Sequence, residues 1–86
     1  MAFVYLIKSV DHNWVYVGST DNLERRLGQH NRGEVRSTKF RAPYKLIHWE
    51  VCGNLREARA REKEIKQVRR IKEELIKSKT ALSSNG

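Results

Sequence analysis

Eighty-six residues, 38% hydrophobic and 33% charged, make one small domain with a thin core and exclude a second hydrophobic core. Eighteen Lys and Arg against ten Asp and Glu leave a net charge of +8, which favours a polyanionic partner, most simply nucleic acid. The lone Cys52 excludes a disulfide framework and a cysteine zinc finger and points to a reducing, cytoplasmic setting; no apolar run is long enough to span a membrane, and Met1 to Lys8 lacks the basic leader and long apolar region of a secretory signal.

Phe3-Val4-Tyr5-Leu6-Ile7 is β-rich and apolar on both parities, as expected of a strand buried on both faces and therefore central. Asp11-His12-Asn13 carries turn chemistry, and Trp14-Val15-Tyr16-Val17-Gly18 reads as a second strand, antiparallel because the connection is short. With an even loop such as Asp11-His12, position 5 pairs with 18 and position 7 with 16, and Tyr5 and Tyr16 share a sheet face; an odd loop puts them on opposite faces. Asp21 is placed as the N-cap of a helix, with Glu24 as the returning arm of a capping box. Leu23, Leu27 and His30 then recur at i, i+4 and i+7 with Arg26 on the same face, and Gly33 offers a left-handed exit.

Residues 34–43 are polar and basic, carry Arg36, Lys39 and Arg41, and end at Pro43; a short helix and an ordered loop both fit. Tyr44 to Val51 reads as a third strand, and Asn54 as the N-cap of a second helical region. That region, 55–79, is one helix or two with a break near Val68-Arg69-Arg70, and residues 81–86 read as a flexible polar tail to a domain spanning 1–80.

Two charges break the pattern. On a helical wheel with Leu55 at zero, Glu62 falls at about 340°, between Leu55 and Ala58 and beside Ile65. A carboxylate on an apolar stripe costs several kcal/mol unless it is paired or metal-bound. Arg26 is the same exception on the first helix, flanked by Leu23 and Leu27. Either the two pair with each other, or both face a cleft that holds a phosphate and a metal.

Val4-Tyr5 in the first strand and Tyr16-Val17-Gly18 in the second resemble the paired motifs of the GIY-YIG endonuclease superfamily. Arg26, ten residues after Tyr16 in Leu23-Glu24-Arg25-Arg26-Leu27-Gly28-Gln29-His30-Asn31, stands where that family has its helix arginine, and Glu62 matches its metal-binding glutamate. The resemblance runs from about Ala2 to Lys77 and is greatest to the small stand-alone bacterial proteins of the superfamily. It departs in Phe3-Val4-Tyr5, which lacks the glycine of the first motif, and in the valine at the middle of the second. It implies a small α/β (α+β) domain, a three-stranded antiparallel sheet flanked by helices in the order β-β-α-(α)-β-α-(α), cutting DNA in repair or recombination.

The resemblance also implies roles. Glu62 would anchor one Mg²⁺ or Mn²⁺; Asp11 and Asp21, the only aspartates, sit at turn or cap positions, so a two-metal site of several acids is not expected. Arg26 would clamp a phosphate oxygen, Tyr5 and Tyr16 would hold and activate water, and His30, one turn beyond Arg26, is a further candidate as base or phosphate ligand. Which tyrosine acts as base stays open. Arg36, Lys39 and Arg41 make a candidate phosphate-tracking loop. A non-catalytic nucleic-acid-binding module with the same fold is the alternative.

Overall fold

In the computed structural model, which describes the backbone of residues 1–85 and the side chains of residues 1–77, the N-terminal apolar run becomes β1 (Ala2–Ser9). It is the middle of a three-stranded antiparallel sheet ordered β2-β1-β3, with β2 at Val15–Thr20 and β3 at Tyr44–Cys52. Centrality explains the missing alternation. Val4, Leu6 and Ile7 are all completely buried because both faces of β1 are covered. The β1–β2 register pairs Tyr5 with Gly18 and Ile7 with Tyr16, as the even-loop alternative requires, so the two tyrosines share a face.

The faces carry different helices. Val4, Leu6 and Val17 pack with Ile47 and with Ile65 of α2 (Leu55–Gln67), and Ile71 and Leu75 of α3 (Arg69–Asn85) complete that layer. Each fully buried side chain among them, Val4, Leu6 and Ile65 above all, contributes about 1.5–3 kcal/mol by leaving water. Tyr5, Ile7 and Tyr44 face the other way, against Leu23 and Leu27 of α1 (Leu23–Asn31) and against Trp14 and Tyr16.

The start of α1 differs from expectation by one residue. Asn22, not Asp21, is the N-cap: its backbone is extended, and its Oδ1 accepts from the Arg25 amide at 3.0 Å. Asn and Asp cap equally well, so adjacent candidates are decided by backbone geometry, and the Asp21 carboxylate instead pairs with the Arg25 guanidinium on the exposed surface. Gly33 takes the left-handed exit with φ 75°. The ambiguous basic segment contains a 3-10 turn, Lys39–Arg41. Asn54 caps α2 through the Glu57 amide at 2.9 Å, and α2 ends at Val68, where φ −106° and ψ 92° leave the helical region before α3 begins. Arg61 clamps α2 to β3 with a two-pronged bond to Glu50 (2.8 and 3.1 Å), and His48 bonds the same carboxylate. The expected tail over 81–86 lies outside the described side chains. Among the described residues no helix is long and apolar enough to cross a membrane.

Candidate active site

Tyr5 is 1% exposed, and its hydroxyl lies 2.7 Å from His30 Nε2. His30, at the buried end of α1, places Nδ1 2.7 Å from the hydroxyl of buried Thr38, which in turn donates to the Val35 carbonyl. A carbonyl only accepts, so the proton order follows along the chain. Thr38 gives its proton to Val35, His30 Nδ1–H donates to Thr38, and Nε2 is left to accept from the Tyr5 hydroxyl. Burial, seconded by the Arg26 charge, pushes His30 down to about 4. Burial pushes Tyr5 up to about 12, partly offset by the nearby Arg26 guanidinium, while Tyr16 and Glu62 add to the rise. Both rings are therefore neutral at neutral pH.

The Tyr5 ring runs under Gly18. A Cβ there would lie 2.5 Å from the Tyr5 hydroxyl oxygen and 2.9 Å from the Tyr16 ring, so the glycine is required by close approach. Tyr16, half-buried, has its ring centroid 6.4 Å from that of Tyr5 and 5.2 Å from that of His30. Its hydroxyl has no hydrogen-bond partner among the described residues.

Glu62 approaches from the other face. Parity sends Ser19 toward α2, and its hydroxyl donates to Glu62 Oε1 at 2.6 Å. Lys66, one turn along α2, holds Oε2 at 2.6 Å and sets its ammonium 5.7 Å from the Tyr16 ring centroid. Lys66 thus links the glutamate to the tyrosine around the edge of β2. Arg26 and Glu62 do not pair: the Arg26 Nη1 donates to Gln29 Oε1 at 3.1 Å. A cavity of about 510 Å³ lies beside Glu62, Lys63 and Lys66, and one of about 310 Å³ beside Arg26 and Gln29; Ser19 and Arg59 line both.

Tyr5, Tyr16, Arg26, His30 and Glu62 are thus gathered from β1, β2, α1 and α2. Arg36, Lys39 and Arg41 are exposed on the segment between α1 and β3, with the Arg41 guanidinium 4.7 Å from the Trp14 ring centroid and Trp14 6.0 Å from Tyr16. His12 is exposed in the hairpin turn and His48 belongs to the Glu50 clamp. Among the described residues no group of three or more His, Cys, Asp or Glu converges, so Glu62 stands as a single carboxylate. The sequence gives no sign of Ser19 and Thr38, and it places Arg59 and Lys66 in a basic series spread round the helix as a solvated surface, whereas both line the cavity beside Glu62. Only Lys66 carried a readable signal, its i+4 spacing from Glu62.

The family model of the GIY-YIG catalytic domain matches residues 1–74. A UPF0213 protein of Clostridium perfringens is 41% identical over 87 residues, covering 99% of this chain and 92% of that protein. A UPF0213 protein of Natronomonas pharaonis is 38% identical over 75 residues (86% of this chain, 87% of that protein), and the UPF0213 protein YazA of Bacillus subtilis 39% over 74 residues (85% and 74%). No solved structure matches with comparable strength. The chain belongs to the GIY-YIG catalytic domain family, whose fold is of nuclease type.

Proposed function

From that membership as premise, we propose that the chain is a divalent-metal-dependent endonuclease that hydrolyses phosphodiester bonds in DNA, with structure rather than sequence preference, in repair or recombination. The observation that carries the reading is the convergence of Tyr5, Tyr16, Arg26, His30 and Glu62, from both faces of the sheet, about the edge strand β2.

The donor set fits a hard, hydrated ion. One carboxylate and one hydroxyl beside a cavity of about 510 Å³ suit Mg²⁺ or Mn²⁺ that takes its remaining ligands from water and phosphate. Glu62 and Ser19 would hold it, and bound there it would neutralise charge on the phosphate and the leaving oxygen. Arg26 presents its guanidinium fork to a non-bridging phosphate oxygen, where a delocalised two-pronged donor serves better than a lysine.

The tyrosines divide the work. A phenol of pKa about 12 is ionised to about one part in 10⁵ at pH 7, a hundredfold less than an ordinary tyrosine. The Tyr5 proton is also committed to His30, so Tyr5 does not accept a proton from water. The Tyr16 hydroxyl is unpartnered among the described residues and its ring lies 5.7 Å from the Lys66 ammonium, so it is the tyrosine available to orient the attacking water and, once ionised, to take its proton. His30 is fully buried and acts through Tyr5, as a positioning residue.

The test is a cleavage screen over branched, nicked, single-stranded and duplex DNA, and RNA counterparts, with Mg²⁺, Mn²⁺ or chelator. Metal-dependent strand scission by the wild type, lost in Arg26→Ala, is the expected result. Binding without scission on every substrate refutes the nuclease and leaves the binding module.

A further inference from the structure

The basic segment between α1 and β3 exposes a residue that the core does not explain. Phe40 is 80% exposed, as much as Met1 at the end of the chain. Phenylalanine is among the residues most often taken inside, and this one forgoes that burial. Its backbone is nonetheless firmly held. Thr38 is completely buried, bonds His30 through its hydroxyl, and accepts through its carbonyl from the Tyr44 hydroxyl (2.7 Å) and the Arg41 amide (3.1 Å). The Arg41 carbonyl accepts from Ser9 Oγ of β1 at 2.7 Å. The 3-10 turn is thereby tied to the same His30 that bonds Tyr5, so the backbone that carries the exposed ring is anchored to the candidate site.

Its surroundings are cationic. Lys39 sets Nζ 5.0 Å from the Phe40 ring centroid, and the Arg41 guanidinium stacks over Trp14, which leads to Tyr16. An exposed aromatic ring with a lysine at its face, followed along the held turn by an arginine, matches a base and its flanking phosphates, which need a π surface and positive charge at adjacent stations.

We propose that Phe40 is a stacking platform for an unpaired nucleobase of the substrate strand, with Lys39 and Arg41 on the neighbouring phosphates; this rests on the nuclease reading above. A base inside a duplex has both faces covered, whereas one in a single strand, gap, bulge or branch offers a face. Stacking on an aromatic ring is indifferent to base identity. The platform therefore supplies structure preference without sequence readout.

The test measures equilibrium binding of the full chain, by fluorescence anisotropy with chelator present, to a labelled single-stranded oligonucleotide and to a duplex of the same length. Phe40→Ala should weaken single-strand binding about tenfold or more and duplex binding less than about twofold. Phe40→Leu keeps an apolar side chain without a π face and should lose as much; Phe40→Trp should keep single-strand affinity. The salt dependence should be the same in all, since no charge is removed, and melting should be nearly unchanged because the ring is 80% exposed and its one cation contact, with Lys39, is at the surface. Undiminished single-strand binding in Phe40→Ala, as expected of a protein-docking residue, overturns the platform; so does equal loss on both ligands, or retention in Phe40→Leu. A wild-type chain that binds neither oligonucleotide overturns the nuclease reading itself.

Discussion

Glu62→Gln separates chemistry from folding, because the structure gives the two very different magnitudes. The substituted amide keeps an oxygen for the Ser19 hydroxyl, which now donates to Oε1 at 2.6 Å. What is lost is the pair with Lys66, whose side chain is 48% exposed against 20% for Glu62. A solvent-screened i,i+4 pair contributes about 0.3–0.5 kcal/mol. No buried arginine is stranded, because Arg26 bonds Gln29 rather than Glu62. The fold should therefore lose less than about 1 kcal/mol, a melting shift within about 4–8 °C for a domain of this size. The chemistry should suffer far more. The carboxylate is the negative charge available to hold a divalent ion, and removing one electrostatic stabiliser of a transition state costs about 10²–10³ in rate. DNA affinity should stay level or rise, since a negative charge leaves a phosphate-binding surface. The assay is strand scission with excess Mn²⁺, beside melting and anisotropy binding without metal. Scission at the parental rate removes Glu62 from the mechanism, and a destabilisation of about 3–5 kcal/mol returns it to the role of a buried ion-pair partner.

Gly18→Ala should push the Tyr5 hydroxyl off His30, because the new Cβ would sit 2.5 Å from an oxygen whose ring has no room to retreat; a loss of about 1–3 kcal/mol in urea unfolding, with impaired scission, is expected, and an unchanged parent-like protein would show that the contact relaxes freely. Lys66→Gln frees Glu62 Oε2 from its ammonium partner, so Mn²⁺ should bind more tightly by calorimetry with little change in melting; unchanged affinity would mean the lysine does not compete with the ion. Stability should fall between about pH 6.5 and 4: His30 titrates near 4 when folded and near 6.5 when unfolded, so the unfolded chain binds more protons across that window, with a ceiling of about 3 kcal/mol, and a flat profile from pH 6.5 to 5 would contradict its burial as a neutral ring.

The sheet was legible because its signals are local or periodic. The doubly apolar run at Phe3 to Ile7 pointed to a central strand, whereas the hairpin left two parities open, and the observed register, Tyr5 with Gly18 and Ile7 with Tyr16, decides for the one that puts both tyrosines on one face. The helix stripes exposed Arg26 and Glu62 by contradiction, since a wheel makes a misplaced charge visible. Their partners were not legible. Thr38 reaches His30 across a segment with no periodicity, and Ser19 reaches Glu62 across 43 positions of chain, a meeting set by packing of α2 on the sheet. The choice between Asp21 and Asn22 as cap fails for a different reason: both side chains supply the same acceptor, and one residue of backbone decides.

The position of the site follows from the strand order. In β2, parity sends Tyr16 and Gly18 to the face covered by α1, and Val15, Val17 and Ser19 to the face covered by α2. On a central strand those two sets would stay apart, separated by hydrogen-bonded neighbours on each side. At the edge, no further strand lies beyond β2 among the described residues, and side chains from the two layers can meet around it. Gly18 makes the meeting possible, because its missing side chain lets the Tyr5 hydroxyl approach from β1 underneath. The Tyr5 hydroxyl consequently feels Arg26 from one layer and Glu62 from the other. Lys66 then reaches from α2 to the Tyr16 ring around that same edge. A phosphodiester laid along β2 would thus find a cation donor on one flank, a carboxylate on the other and a free phenol between them. No single helix or strand of this chain could present all three.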